Sequence, residues 1–173
     1  MSLSTKATSV TTTLVAVRVV NRLGAFAMGF LGVRLVRDLG ADLATASAVL
    51  TAFGLCTIPS RLLGGFLGRR HGTRTAMIAG LVGCAAAQFV IGVGPSLPVV
   101  VAGALLLGLA YEIIEPPTQA LLADSLDAER RAGGFALLWS AVGVAGVLAG
   151  VLAAVLAPLG VGALFLADAA TSC

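Results

Sequence analysis

The sequence predicts an all-α membrane domain: a six-helix transmembrane bundle whose last helix is cut short. Three observations predict it. Hydrophobic residues make up 58 % of the chain and charged residues 11 %, where soluble domains carry about 25 % charged residues. Mean hydropathy is +1.04. No Asp, Glu, Lys or Arg occurs from Thr75 to Tyr111 or from Ala132 to Ala167. A soluble helix needs a polar face, yet residues 99–110 are apolar all round. A chain of 173 residues has no room to bury several such helices in its own core. The composition excludes a disordered chain, a coiled coil and a disulfide scaffold. Strands of a membrane barrel would alternate in polarity, and these segments do not. Helices alone then satisfy the backbone in lipid.

Residues 1–13 are rich in Ser and Thr with one basic residue, Lys6, and have no signal-peptide cleavage pattern. They read as a cytoplasmic N-terminal tail ahead of a transmembrane domain over 14–173. The first span covers about 14–36 and carries Arg18, Asn21 and Arg22. The second covers 43–68. The third, 75–94, follows a basic turn. The fourth, 98–122, follows Gly94-Pro95-Ser96-Leu97-Pro98, a turn by composition. The fifth covers 133–157 and ends at Pro158. The sixth, 159–173, reaches about 22 Å at 1.5 Å per residue, short of the roughly 30 Å hydrocarbon core. That predicts either a short helix or a truncated sequence.

Orientation follows from loop Lys and Arg. Lys6, Arg18, Arg22, Arg69, Arg70, Arg74, Arg130 and Arg131 fall on one side. The other has Arg34 and Arg37, offset by Asp38 and Asp42. A multi-pass cell-membrane protein with a cytoplasmic N-terminus is expected. The basic rim suits anionic lipid.

The chemistry-bearing residues are few. Cys56, Cys84 and Cys173 lack metal-ligand spacing and read as small packing residues. His71, the single histidine, sits in a basic loop. No nucleotide loop, metal motif or nucleophile triad occurs. No enzyme activity, cofactor, metal or nucleic-acid partner is expected. Glu112 and Glu115 are the sharpest internal feature. Glu112 falls about 21 Å along the fourth helix from Pro98, in the inner half of a bilayer, where ionisable groups usually mark a function. Glu115, three residues on, shares its helix face. The pair is a candidate site for a proton or cation, and Glu112 is expected either to be kept protonated by burial or to pair with Arg22 across the bundle. Pro116 and Pro117 favour a bend just beyond. Arg18 and Arg22 read first as snorkelling to phosphate, with Arg22 and Asn21 turned into the bundle as the alternative. Asp168, inside the sixth span, needs a partner or protonation and is the second coupling candidate.

Residues 64–74 read Gly-Gly-Phe-Leu-Gly-Arg-Arg-His-Gly-Thr-Arg. Gly64 and Gly68 lie on one face and allow close helix approach; Gly72 suits a left-handed turn. In position and order this stretch resembles the signature loop of the major facilitator superfamily. Gly65, Leu67, Arg70, Gly72 and Arg74 match it. Arg69 stands where the family has Asp, and Thr73 replaces an Arg. The family's acidic residue belongs to a charge network that steadies one conformation, so the resemblance implies altered gating here. Asn21-Arg22-Leu23-Gly24-Ala25-Phe26 is similar to the first helix of drug-efflux members. Glu115 to Asp124 resembles the end of their fourth helix, and Asp127 to Arg131 the loop after it. The resemblance implies a cytoplasmic charge network of Asp124, Arg130 and Arg131. Leu164 to Ser172 resembles a shortened sixth helix.

Two departures stand out. The fourth-helix Arg of proton-coupled members falls near Ala104, which is uncharged. Gly143, Ala145, Gly146, Ala149 and Gly150 keep the small residues of the fifth-helix motif without its Pro. The resemblance implies the N-terminal half of a twelve-span carrier that exports small organic compounds by proton-coupled efflux. Its partners would be a small-molecule substrate, the bilayer, and a second half or a homodimer mate. Two other readings stay open: a truncated, non-transporting remnant, or a homodimerising binding or assembly protein of the membrane.

Overall fold

The computed structural model describes residues 3–24, 27–156, 158 and 160–171. The parts of the sequence reading that fall on the Lys6 side chain, Ala25, Phe26, Leu159, Ser172 and Cys173 lie outside the described residues. The described residues form an all-helical bundle, as the composition requires. Helix α1 runs Leu3–Gly24 and so includes residues read as a tail. Ser and Thr disfavour helix interiors only weakly, and Leu14 anchors α1 in a core with Leu122, Leu138 and Val142.

The rest of the expected first span is not one regular helix. It consists of a 3-10 turn, Ala27–Phe30, the short α2, Leu31–Val33, and a π turn, Arg34–Asp38. Arg34 fixes this segment. It pairs with Asp38 at 2.9 Å and donates to the carbonyls of Gly92 and Gly94.

Helix α3 runs Leu43–His71, α4 Thr73–Val93, α5 Leu97–Tyr111, α6 Glu115–Ser125, α7 Ala128–Leu156 and α8 Val161–Thr171. Four helical stretches are long and apolar enough to cross a membrane: Leu43–His71, Thr73–Val93, Leu97–Ser125 and Ala128–Leu156. Val161–Ala170 is shorter. Four of the six expected spans thus have membrane-crossing length and composition. Large apolar side chains such as Leu55, Ile58 and Leu62 on α3 and Val147 and Val155 on α7 point outward. Such a surface suits lipid rather than water as solvent.

Local chemistry explains the boundaries. Asp42 caps α3 by accepting the Thr45 N–H at 2.9 Å, satisfying a donor that a helix start leaves orphaned. Gly72, at φ 88°, turns the chain from α3 into α4 where a Cβ would be strained. Helix α4 packs most extensively on α5 and α8, α5 also on α3, and α1 on α7. Glycines set the close crossings. A Cβ on Gly108 would meet the Phe53 carbonyl at 2.7 Å, and one on Gly103 the Ile91 side chain at 2.9 Å.

The Asp42 cap carries a pH dependence. Its side-chain hydrogen bond with Thr45, and then the Thr45 backbone N–H, hold the carboxyl below its ordinary value of 3.8. A depressed folded-state pKa stabilises above the unfolded value and is lost as pH falls through the folded one. Thermal unfolding of detergent-solubilised protein is expected to shift downward between about pH 6 and about pH 3. Asp42→Asn, which keeps a capping oxygen but cannot titrate, should show a smaller shift over that range. An equal shift in both proteins would remove Asp42 from the effect.

Candidate functional site

Pro116 and Pro117 shape the site. Neither has the N–H that would bond the carbonyls of Glu112 and Ile113 in a continuous helix. The chain therefore leaves α5 at Tyr111, makes tight turns closed by Ile113 N–H to Ala110 and Glu115 N–H to Glu112, and restarts as α6 at Glu115. The Glu112 N–H, freed by the break, donates to Ser60 Oγ on α3 at 3.0 Å, and Ser60 is wholly buried. Gly64 and Gly80 receive the break. A Cβ on Gly64 would overlap the Ile113 carbonyl, and one on Gly80 would lie 2.6 Å from the Ile114 side chain. Gly68, four residues along, sits under Pro117. The small-residue face read at Gly64 and Gly68 thus has a definite partner: the irregular turn, not a regular helix.

Beside the break lies a cavity of about 340 Å³. Helix α1 lends it Arg18, Asn21 and Arg22; α3 lends Arg61; α4 lends Cys84 and Gln88. Tyr111, Glu112 and Glu115 close one wall, and Trp139, Val142 and Gly143 of α7 another. Two ion pairs cross it. Arg18 Nη2 lies 2.5 Å from Glu115 Oε2, with the two side chains 13 % and 7 % exposed. Glu115 Oε1 also accepts from Gln119 at 2.9 Å. Arg61 Nε lies 3.1 Å from Glu112 Oε2, and here the side chains are 62 % and 19 % exposed. The first pair is enclosed, the second open. Arg22 donates to the Tyr111 hydroxyl at 3.0 Å, and the Tyr111 ring meets Phe53 edge-on.

Two expectations about these charges are corrected. Glu112 pairs with Arg61, not Arg22, because the break turns it toward α3. Arg18 does not reach outward to phosphate; it bonds Glu115 inside the bundle. Arg61, Ser60 and Tyr111 were missed by sequence reasoning. Arg61 had a signal: it is the one charged residue between Asp42 and Arg69, inside an otherwise apolar stretch.

The other candidates lie apart from the cavity. Asp168 on α8 is fully buried and is not part of the lining. Gly65 and Leu67 lie on α3; Arg69, Arg70 and His71 form its exposed last turn, followed by Gly72 and by Arg74 on α4. Arg70 stacks over Phe66 with its guanidinium 5.8 Å from the ring centre. Among the described residues no ion pair joins Arg69, Arg70 or Arg74 to a carboxylate, nor Asp124 to Arg130 or Arg131. Arg131 instead donates to the carbonyls of Ala123 and Leu126, closing the end of α6 as a basic residue does at a helix C-terminus. Among the described residues no cluster of His, Cys, Asp or Glu has metal-binding geometry.

Apolar helices around a charged internal cavity, one of them broken by prolines at the cavity wall, define a helical protein of the membrane-spanning class. The sequence profile of the Major Facilitator Superfamily matches residues 11–173. The fold is similar to that of a crystal structure of the peptide transporter POT, a point mutant in complex with sulfate. The TM-score is 0.84 and identity 19 %, over 99 % of this chain and 39 % of that one. No curated protein sequence matches. The chain belongs to the Major Facilitator Superfamily, a family of membrane transporters. It spans about 39 % of the length of the transporter it resembles.

Proposed function

We propose that the chain is the N-terminal six-helix half of a carrier that exports small organic compounds across the cell membrane by proton-coupled efflux. The carrying observation is the pair of Arg–Glu bridges in one cavity at an interrupted helix. Its volume lies at the small end of the range for ligand sites, about 300–1,000 Å³. Alternating access works between two bundles around a midplane site, so this half needs an opposite wall, from a second bundle or a second copy. Glu112 is the coupling group in this reading. Its bridge is the open one, so a proton or solute reaches it, whereas the enclosed Arg18–Glu115 pair holds α1 to α6. Asp168 is the reserve candidate. Gly65, Leu67, Arg69, Arg70, Gly72, Arg74, Asp124, Arg130 and Arg131 form the cytoplasmic rim that controls rocking.

Three measurements test this reading. In a carrier assembled from both halves, Glu112→Gln is expected to abolish pH-gradient-driven dye export while membrane insertion stays normal. Unchanged pH-dependent export would move the coupling role to Asp168. The isolated chain in proteoliposomes with an imposed proton gradient is expected to accumulate no dye; accumulation would show that two copies suffice. With a single Cys placed at Thr73, an impermeant thiol reagent should label from the cytoplasmic side, and labelling from outside alone would reverse the orientation.

A further inference from the structure

Charge counting in the cavity points to the solute's sign. Three guanidinium groups line it, from Arg18, Arg22 and Arg61, against two carboxylates, from Glu112 and Glu115. The carboxylates are each engaged, Glu115 by Arg18 and Glu112 by Arg61. Arg22 makes no ion pair among the described residues; it donates to a neutral phenol, Tyr111. A guanidinium stays protonated at any physiological pH, so it cannot shed its charge as a buried Lys would. Asp168, the nearby carboxylate of α8, is fully buried and does not line the cavity.

Room is kept for that guanidinium. A Cβ on Gly146 of α7 would sit 3.3 Å from Arg22 Nε and 3.6 Å from Nη2. Gly143, one turn earlier, lines the same cavity. The missing Cβ at Gly146 therefore lets the Arg22 guanidinium lie close against α7. On the same helix Trp139 presents an indole that is half exposed. A planar fork and an aromatic face that line one cavity suit a small solute with one acidic end and one flat apolar end. Carboxylates bind guanidinium through two parallel hydrogen bonds, and a ring stacks on the indole.

We infer that Arg22 is the anion-binding element of the cavity, and that the solute is a small aromatic monoanion of the carboxylate type, seated between Arg22 and Trp139. A single negative charge balances the single excess guanidinium. This rests on the carrier reading and specifies the solute class for it.

Trp139 is the one tryptophan of the chain, so its fluorescence reports on this cavity alone. The test titrates the full chain in nanodiscs with benzoate, benzamide and benzylamine. These share one ring and differ in charge, and radiolabelled benzoate dialysis checks the fluorescence. Benzoate is expected to bind at least about tenfold more tightly than benzamide, with benzylamine weakest. Arg22→Gln should lower benzoate affinity about tenfold or more and leave benzamide unchanged. Arg22→Lys, which keeps the charge but loses the fork, should retain the order of preference at reduced affinity. Helicity and monodisperse elution confirm that each variant folds. Equal binding of the three probes, or benzoate binding indifferent to Arg22→Gln, overturns the inference and leaves the carrier reading standing. If none of the three perturbs Trp139 and no labelled benzoate is retained, the cavity is not a solute site and both fall.

Discussion

Glu115→Ala is expected to destabilise the bundle by about 3–5 kcal/mol, the range for removing one partner of a buried ion pair. The reason lies in what remains. Arg18 is 13 % exposed and, among the described residues, has no second carboxylate in contact, so the substitution strands a guanidinium away from water. Gln119 loses its acceptor in the same step. Removing both charges tests the cause: Arg18→Leu with Glu115→Leu should recover most of the loss, because the desolvation cost disappears with the pair. Unfolding in mixed detergent, followed by circular dichroism, measures all three proteins. A loss under about 1 kcal/mol in Glu115→Ala would mean that Arg18 finds water or lipid phosphate, as an exposed pair would. The Arg61–Glu112 bridge offers the contrast. Arg61 is 62 % exposed, so neutralising Glu112 should cost far less stability while changing the cavity's charge.

Gly64→Ala is expected to be the most disruptive one-methyl change in the bundle, at about 3 kcal/mol, the upper part of the range for overpacking. The added Cβ would overlap the Ile113 carbonyl and lie 2.9 Å from two further Ile113 backbone atoms. Backbone meets backbone there, so no side-chain rotation relieves the contact. Helix α3 must move away from the α5–α6 break, which also pulls Ser60 from the Glu112 N–H. Gly65→Ala is the control. Its new methyl would meet only the flexible end of Arg69, at 3.6 Å. Replacing Gly by Ala in a helix is otherwise favourable by roughly 0.5–1 kcal/mol, so a neutral or stabilised protein is expected. Thermal unfolding of the two variants side by side decides it. Equal effects would show that the Ile113 turn yields, and that the close crossing is not what holds α3.

The two glycines separate two kinds of information in one short stretch. Gly65 belongs to the pattern that relates the sequence to its family; Gly64 lies one residue outside the matching positions and carries the packing. Gly72 is legible both ways, since a basic turn between two apolar runs needs a residue at positive φ, and the chain has 88° there.

The amino-acid sequence by itself determined the solvent. Uncharged runs from Thr75 to Tyr111 and from Ala132 to Ala167 permit only helices in an apolar medium. They led to the apolar helices beginning at Thr73, Leu97 and Ala128. It also marked Glu112 and Glu115 as unusual, because an ionisable group that continues the span at the end of such a run is costly wherever the chain goes. It did not reveal that residues 27–38 abandon regular α-helix, since the Arg34 hydrogen bonds to Gly92 and Gly94 that hold them come from a distant turn. Nor did it assign the charge partners. Arg18 meets Glu115 across 97 positions and Arg61 meets Glu112 across 51. Helix periodicity says which residues share a face on one helix, but not how far one helix rotates or slides against the next. That rotation was decided by tertiary contacts: Gly64, Gly68 and Gly80 admitting the proline-broken turn, and Ser60 taking its freed N–H. Arg22 meets the Tyr111 hydroxyl while Arg18 and Arg61 hold Glu115 and Glu112, an arrangement set by how the helices meet.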